Sequence, residues 1–79
     1  MSALYEEGIM QNLSSAAVGQ TYSIKWMFGF PEIMAYLKDH QIEEGNSLRV
    51  LQNYCGNVIA CINGKSFAFS KEVADRIKV

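Results

Sequence analysis

The pair Asn63-Gly64 is the feature of this sequence that most constrains its fold. It separates two runs of strand-forming residues, VIACI and KSFAF. In that setting it predicts a two-residue β-hairpin, because both central residues of a type I′ turn need positive φ, which asparagine tolerates and glycine adopts freely. The turn also fixes which residues oppose each other across the strands. It predicts one shared apolar face, made of Val58, Ala60, Ile62, Phe67 and Phe69.

A further strand precedes this hairpin and is expected in the same sheet. In LRVLQ (residues 48–52), Leu48 and Val50 lie on one face of the strand. They join the apolar face of the hairpin only if an odd number of residues connects the two strands. The sequence therefore predicts a connecting loop over residues 53–57 or 55–57, and with it a three-stranded meander.

The segment 21–27 alternates polar and apolar residues, as a half-buried strand does. Tyr22, Ile24 and Trp26 share one face, which we expect to be buried. Trp26 is therefore predicted to be a core residue.

Pro31 is expected to begin a helix, since proline suits the first helical position. The helix is predicted to end at residues 38–40, and its apolar stripe is Ile33, Met34 and Leu37.

Two short helical turns are also predicted. Ser70 can cap a turn over 71–76, after which the chain returns as a last short strand. Nearer the start, Ser14 or Ser15 can cap a single turn that runs through Ala17.

Together these elements predict a mainly β fold, a small SH3-like β-barrel of about five short strands. One helix lies between the first two predicted strands, and a helical turn precedes the last. Closing so small a sheet removes its exposed edges. An oligonucleotide-binding barrel is the nearest competitor, but it usually has a basic, aromatic face. We expect an N-terminal extension over 1–12 and a single domain over 13–79.

Composition narrows the classes of function. The chain has 79 residues, 49% of them hydrophobic, and a net charge of −1. Near-neutral charge argues against nucleic acid as a partner, because phosphates call for a basic surface. No apolar run approaches the roughly 20 residues that cross a bilayer, so membrane insertion is not expected. The first twelve residues carry no basic residue, unlike a secretory signal, and we expect a cytoplasmic protein.

The residues that could carry chemistry are few. Cys55 and Cys61 are expected to lie too far apart for a disulfide and to remain thiols. His40 is the single histidine, and its sequence neighbours Asp39, Glu43 and Glu44 do not form a metal-ligand cluster. We therefore predict no metal site, with His40 as the candidate ligand if there were one, and no cofactor. No phosphate-binding loop, paired-carboxylate motif or nucleophile elbow is present, so an enzyme is not predicted.

Aromatic residues outside the predicted core suggest a contact surface instead. Phe28 and Phe30 flank a glycine in a loop, where exposure is expected, although they could also cover the barrel as a lid. The predicted partner-binding residues are Phe28, Phe30, Tyr36, His40 and Tyr54.

The order and spacing of apolar residues and glycines from Leu13 to Val79 resemble those of the FeoA family. The matching positions comprise an opening segment, a helix-to-turn segment and a closing segment. They are Leu13, Gly19, Gln20, Ile24, Leu37, Asp39, Ile42, Gly45, Leu48, Val50, Gly64, Phe67, Ala68, Phe69, Glu72, Ala74, Ile77 and Val79. The chain departs from the family pattern at Tyr36, His40 and Gln41, where the family has arginine, an apolar residue and glycine. If residue 41 is the left-handed end of the helix, glutamine there costs roughly 1 kcal/mol relative to glycine.

The resemblance implies an SH3-like fold, shared with the C-terminal domain of iron-dependent repressors, and a role in iron homeostasis. It implies a cytoplasmic accessory of ferrous iron uptake that binds the cytosolic part of the FeoB permease, which carries a GTPase domain. The alternative is a free-standing SH3-like module that binds a peptide or regulatory partner. A redox or metal-handling enzyme is a third possibility, for which the sequence lacks a ligand cluster.

Overall fold

The computed structural model describes residues 10–79, so most of the predicted extension over 1–12 lies outside the described residues. In chain order the elements are a 3₁₀ turn (Leu13–Ser15), β1 (Thr21–Ser23), β2 (Trp26–Met27), α1 (Pro31–Asp39), β3 (Ser47–Tyr54), β4 (Asn57–Ile62), β5 (Lys65–Phe69), α2 (Lys71–Ala74) and β6 (Ile77–Lys78). The larger antiparallel sheet has the order β1-β3-β4-β5, and the smaller pairs β2 with β6. The predicted mainly β architecture is confirmed.

The β4–β5 hairpin has the predicted turn and register. Asn63 and Gly64 adopt φ values of 53° and 82°. Val58 lies opposite Phe69, and Ala60 lies opposite Phe67. The predicted apolar face is buried except at Phe67, which is half-buried.

The β3–β4 connection differs from the prediction. The turn has two residues, Cys55 and Gly56, at φ values of 53° and 93°. The prediction of a loop with an odd number of residues is therefore wrong. A β-bulge lies between Val50 and Gln52, so one extra residue is inserted in β3. The bulge shifts the alternation of inward- and outward-facing side chains by one position. An odd-numbered loop was expected to produce this shift. Val50 consequently still faces the core opposite Ala60.

Residues 21–27 form two strands in different sheets, so the prediction of a single strand is wrong. β1 pairs with β3, whereas β2 pairs with β6. The chain changes sheets at Ile24 and Lys25, and this break shifts the alternation. Ile24 is buried as expected, but Trp26 is 47% exposed, so its predicted core position is wrong.

Helix α1 begins at Pro31 as predicted and ends in a Schellman motif. The N–H of Gln41 donates to the carbonyl of Lys38 at 2.9 Å, and that of Ile42 donates to Leu37 at 2.8 Å. Gln41 has φ of 64°, so it takes the left-handed position that the sequence comparison pointed to.

The predicted capping of the two short turns is confirmed at one of them. Ser70 caps α2 by accepting a hydrogen bond from the N–H of Val73. The first turn begins at Leu13, without a side-chain cap, and Ser14 instead donates a hydrogen bond to Asp75. The bond from Ser14, together with Lys71, lowers the pKa of Asp75 below its ordinary value.

Two asparagines brace the β3–β4 turn. The side-chain amide of Asn53 donates to the carbonyls of Ser14 and Ala16 at 3.0 and 2.8 Å, and its Oδ1 accepts from the N–H of Gly56. Asn57 Oδ1 accepts from the N–H of Lys71 at 3.0 Å. These bonds fasten the turn to the 3₁₀ turn and to α2.

The core runs between the two sheets. Its buried members are all apolar: Leu13, Ala16, Ile24, Leu37, Ile42, Leu48, Val50, Val58, Ala60, Ile62, Phe69, Ala74, Ile77 and Val79. Gln11 and Val79 exchange backbone hydrogen bonds in both directions, at 3.0 and 2.8 Å. Cys55 and Cys61 are both free thiols, as predicted. Within residues 10–79, no helix has the length and apolarity required to cross a membrane.

Candidate interaction surfaces

A group of exposed aromatic rings and half-buried cations lies on the smaller sheet and the loop that follows β2. We call Trp26, Phe28, Phe30, Arg76 and Lys78 the aromatic–cation patch. The rings of Trp26 and Phe28 stack with centroids 5.0 Å apart. Lys78 Nζ lies 5.6 Å from the centroid of Phe28, and Arg76 Cζ lies 5.8 Å from that of Phe30. Both distances are within the reach of cation–π interactions, about 6 Å.

Backbone pairing explains why these side chains meet. Trp26 lies opposite Lys78 in the β2–β6 pair, so both project from the same face. The N–H of Phe28 donates to the carbonyl of Arg76 at 3.1 Å, which continues the pairing into the loop. Gly29 keeps this loop close to the helix, because a Cβ there would lie 3.3 Å from Met34 Cε.

The aromatic rings of the patch are open to solvent. Phe28 is 39% exposed and Phe30 62%, so neither is enclosed in the core. Exposed large apolar side chains that adjoin one another mark contact surfaces more often than isolated ones do. Trp26, Arg76 and Lys78 were not among the residues predicted from sequence. The signal for the two cations was their spacing, with Arg76 just before the last strand and Lys78 within it, and it gains meaning only when the partner of that strand is known.

A second aromatic group lies at the C-terminal end of α1. The rings of Tyr36 and His40 have centroids 4.3 Å apart, and the ring of His40 meets that of Phe67 edge-on at 5.5 Å. His40 Nδ1 donates to the carbonyl of Tyr36 at 2.9 Å. In the described part of the chain, no three His, Cys, Asp or Glu residues are placed to hold a metal ion together.

A groove of about 610 Å³ runs between α1 and β5. Its helix side includes Glu32, Ile33, Tyr36 and Leu37, and its strand side is the continuous segment 66–70. The half-buried Ile33 and Phe67 make its floor largely apolar.

The five residues predicted to bind a partner therefore occupy three places. Phe28 and Phe30 lie in the aromatic–cation patch, and Tyr36 and His40 lie beside the groove. Tyr54 is 77% exposed at the end of β3, and within residues 10–79 it shares no aromatic contact with either group.

Comparisons with known proteins identify the domain. The sequence profile of the FeoA domain matches residues 11–79. A search of curated protein sequences gives no match.

Solved structures show the same fold. The chain superposes on a crystal structure of an iron uptake regulatory protein (FeoA) with a TM-score of 0.80, at 24% identity, over 90% of this chain and 96% of that one. For the FeoA protein of Chlorobium tepidum, the TM-score is 0.76 at 20% identity, over 85% and 66% of the two chains.

The same fold also occurs within longer proteins. A manganese-dependent transcriptional repressor gives a TM-score of 0.79 at 20% identity, and the match covers 89% of this chain but 40% of the repressor. The predicted SH3-like fold, shared with the repressor domains, is thereby confirmed. Because the profile spans nearly all of the described residues, the chain belongs to the FeoA domain family.

Proposed function

We propose that this protein is a cytoplasmic accessory of ferrous iron uptake that binds the cytosolic part of a FeoB-type permease through the aromatic–cation patch. The observation that carries the proposal is the exposed stack of Trp26 and Phe28 beside Lys78. Membership of the FeoA family supplies the link to iron transport.

The composition of the patch is suited to protein binding. Tryptophan and arginine are enriched among the residues that dominate binding energy at protein interfaces. The ring stack and the two cation–π contacts hold the patch in one arrangement before a partner arrives. Preorganised side chains lose less conformational freedom on binding, which favours affinity.

The positive charges of the patch also indicate the character of its partner surface. Arg76 and Lys78 complement carboxylates, and aromatic rings complement apolar or proline side chains. An acidic, partly apolar surface on the permease's GTPase domain would fit both. Such complementarity increases the association rate and makes binding weaken with salt.

Titration of isotopically labelled protein with the soluble GTPase domain of the cognate permease tests the proposal. We expect amide shifts in residues 26–30 and 76–78, and at least ten-fold weaker binding by the double variant Phe28→Ser/Phe30→Ser. Tyr54→Ser is the matched control, because it removes an exposed aromatic ring outside the patch. Equal loss in the control and the patch variant, or no binding by the wild type, would refute the proposal.

Regulation is a separate part of the proposal. Binding changes the activity of the permease only if the two conformations of the permease bind this protein with different affinity. We expect GTP turnover and iron uptake to differ with and without the protein, and the patch variant to abolish the difference. Unchanged rates in both assays would leave a docking function without regulation.

A further inference from the structure

We propose that the groove between α1 and β5 binds an extended segment of another protein, which pairs with β5 as an additional antiparallel strand. The inference concerns a surface separate from the aromatic–cation patch and does not depend on the identity of the permease. It follows from the hydrogen-bonding groups, shape and charges of the groove.

The outer edge of β5 offers hydrogen-bonding groups to the groove. β5 is an edge strand that pairs with β4 alone. In a two-residue hairpin the pair that flanks the turn, Ile62 and Lys65, is hydrogen-bonded, and such pairs alternate along the strands. The backbone N–H and C=O groups of Ser66 and Ala68 therefore point away from β4. Across residues 10–79 they have no backbone partner.

The lining of the groove shows that this edge faces it. Side chains of a strand alternate between its two faces, so a surface over one face meets every second residue. The groove instead contacts every residue from 66 to 70. A strand can present consecutive residues in this way only along its edge.

The groove is suited to one added strand with apolar side chains. Neighbouring strands lie about 4.8 Å apart, so an added strand would lie between β5 and α1. There its side chains would contact Ile33, Tyr36 and Phe67, which are apolar or aromatic and line the groove. Main-chain bonds then supply affinity, and alternate side chains supply specificity, as in other cases of strand addition.

The charge of Glu32 specifies the polarity of the occupant. His40, which follows α1, contacts Phe67, so Glu32 in the first turn of α1 lies toward the Ser70 end of the groove. Lys65, at the start of β5, lies beyond the other end, in an adjoining cavity that Asp39 also lines. A strand antiparallel to β5 has its N-terminal end near Glu32. The complementary segment therefore carries a basic residue at its start.

A second copy of this chain is a poor occupant. In that copy too, α1 lies beside the edge of β5, and a helix with its side chains is about 10–12 Å wide. Pairing of two β5 edges would drive the helix of each copy into the groove of the other. A lone segment has no such obstacle.

The test uses a synthetic peptide, Lys-Val-Thr-Val-Thr-Val-Glu, titrated into labelled protein. We expect saturable shifts of the Ser66 and Ala68 amides and of residues on the groove side of α1. A peptide with its two charged residues exchanged should bind at least three-fold more weakly. Shifts confined to the aromatic–cation patch, or none up to millimolar peptide, would overturn the proposal.

The variant Ala68→Pro isolates the strand-pairing step. Proline removes the outward N–H, and an edge strand tolerates it where that N–H makes no ladder bond. We expect at least ten-fold weaker peptide binding with an unchanged fold, whereas Ala68→Ser, which keeps the N–H, binds like the wild type.

Two further measurements keep the proposal open to refutation if Ala68→Pro misfolds. Tyr36→Ala shortens the groove wall and should weaken peptide binding, whereas Phe28→Ser/Phe30→Ser should not. If Phe28→Ser/Phe30→Ser weakens peptide binding and Tyr36→Ala does not, the proposal is refuted. Sedimentation of the free protein showing a dimer that Ala68→Pro dissociates would also overturn it, since the edge would then pair with a second copy.

Discussion

The two hairpin turns of the larger sheet have nearly the same backbone but different surroundings. Cys55-Gly56 and Asn63-Gly64 both have positive φ at both positions. A Cβ on Gly56 would lie 2.7 Å from Lys71 Cγ, whereas one on Gly64 would meet nothing within 4 Å. The first turn is packed beneath α2, and the second is open to solvent.

The difference shows two ways of holding the same turn. At Asn63-Gly64 the residues themselves favour the left-handed backbone. At Cys55-Gly56 the first residue does not favour it. The side chains of Asn53 and Asn57 fix this turn from outside, by accepting hydrogen bonds from the N–H groups of Gly56 and Lys71. We therefore expect the first turn to be sensitive to changes in its surroundings and the second to changes in its own sequence.

Asn53→Ala should have the largest effect on the first turn. It removes three side-chain hydrogen bonds, two of them to carbonyls of the chain near the 3₁₀ turn. At roughly 1 kcal/mol each, the free energy of unfolding should fall by about 3 kcal/mol. Urea denaturation would measure it. The control Asn63→Gly keeps its turn's backbone and should cost less than about 1 kcal/mol, so equal losses would contradict the comparison.

Replacing each glycine by alanine compares the two turns directly. Both variants place a side chain at positive φ, at a cost of roughly 1–2 kcal/mol. Gly56→Ala must also displace Lys71, which bonds Asp75 at 2.9 Å. We expect a loss of about 2 kcal/mol for Gly56→Ala and about 1 kcal/mol for Gly64→Ala, measured by thermal unfolding. A larger loss at Gly64 would show that packing beneath α2 is not what distinguishes the turns.

Gln41→Gly should produce a smaller effect of opposite sign. Gln41 has φ of 64°, and glycine relieves that strain. The side chain of Gln41 also accepts a bond from Asn63 Nδ2 at 2.8 Å, which the variant loses. The net stabilisation should be below about 1 kcal/mol. Destabilisation would mean that the second turn depends on this contact more than its sequence suggests.

The pH dependence of stability should show a small contribution from Asp75. Its pKa is lowered from the ordinary value of 3.8, first by the hydrogen bond from Ser14 and then by Lys71. A lowered pKa stabilises the folded state above the unfolded-state pKa, and this stabilisation is lost as the pH falls through the folded-state pKa. Below about pH 4, stability should therefore fall less steeply in Asp75→Asn than in the wild type. An equally steep loss of stability with falling pH in the two proteins would contradict this prediction.

Local sequence predicted the elements whose cause is local. The Asn63-Gly64 turn, the start of α1 at Pro31 and the cap at Ser70 follow from neighbouring residues. The left-handed backbone at Gln41 was indicated only by the resemblance to the family, which has glycine there. The length of the β3–β4 turn could not be predicted in this way, because the extra residue lies within β3, as a bulge at Leu51, and not in the turn. Counting loop residues could not show this.

The interaction surfaces were predicted in part for the same reason. The position of Phe28 and Phe30 on either side of a glycine in a loop indicated that they would be exposed. The exposure of Trp26 depends on the break after β1 and on pairing with β6, at the far end of the chain. No periodicity within 21–27 contains that information, and the contributions of Arg76 and Lys78 to the patch depend on the same pairing.

The hydrogen bonds between Gln11 and Val79 place the two ends of the matched FeoA domain side by side. A unit with adjacent ends can be joined to another chain, or inserted into it, without rearranging its sheets. This geometry suits a fold that forms most of one protein and a minor part of another, as the FeoA and repressor matches do. It also makes the domain a candidate for circular permutation, with new termini at the solvent-exposed Asn63-Gly64 turn.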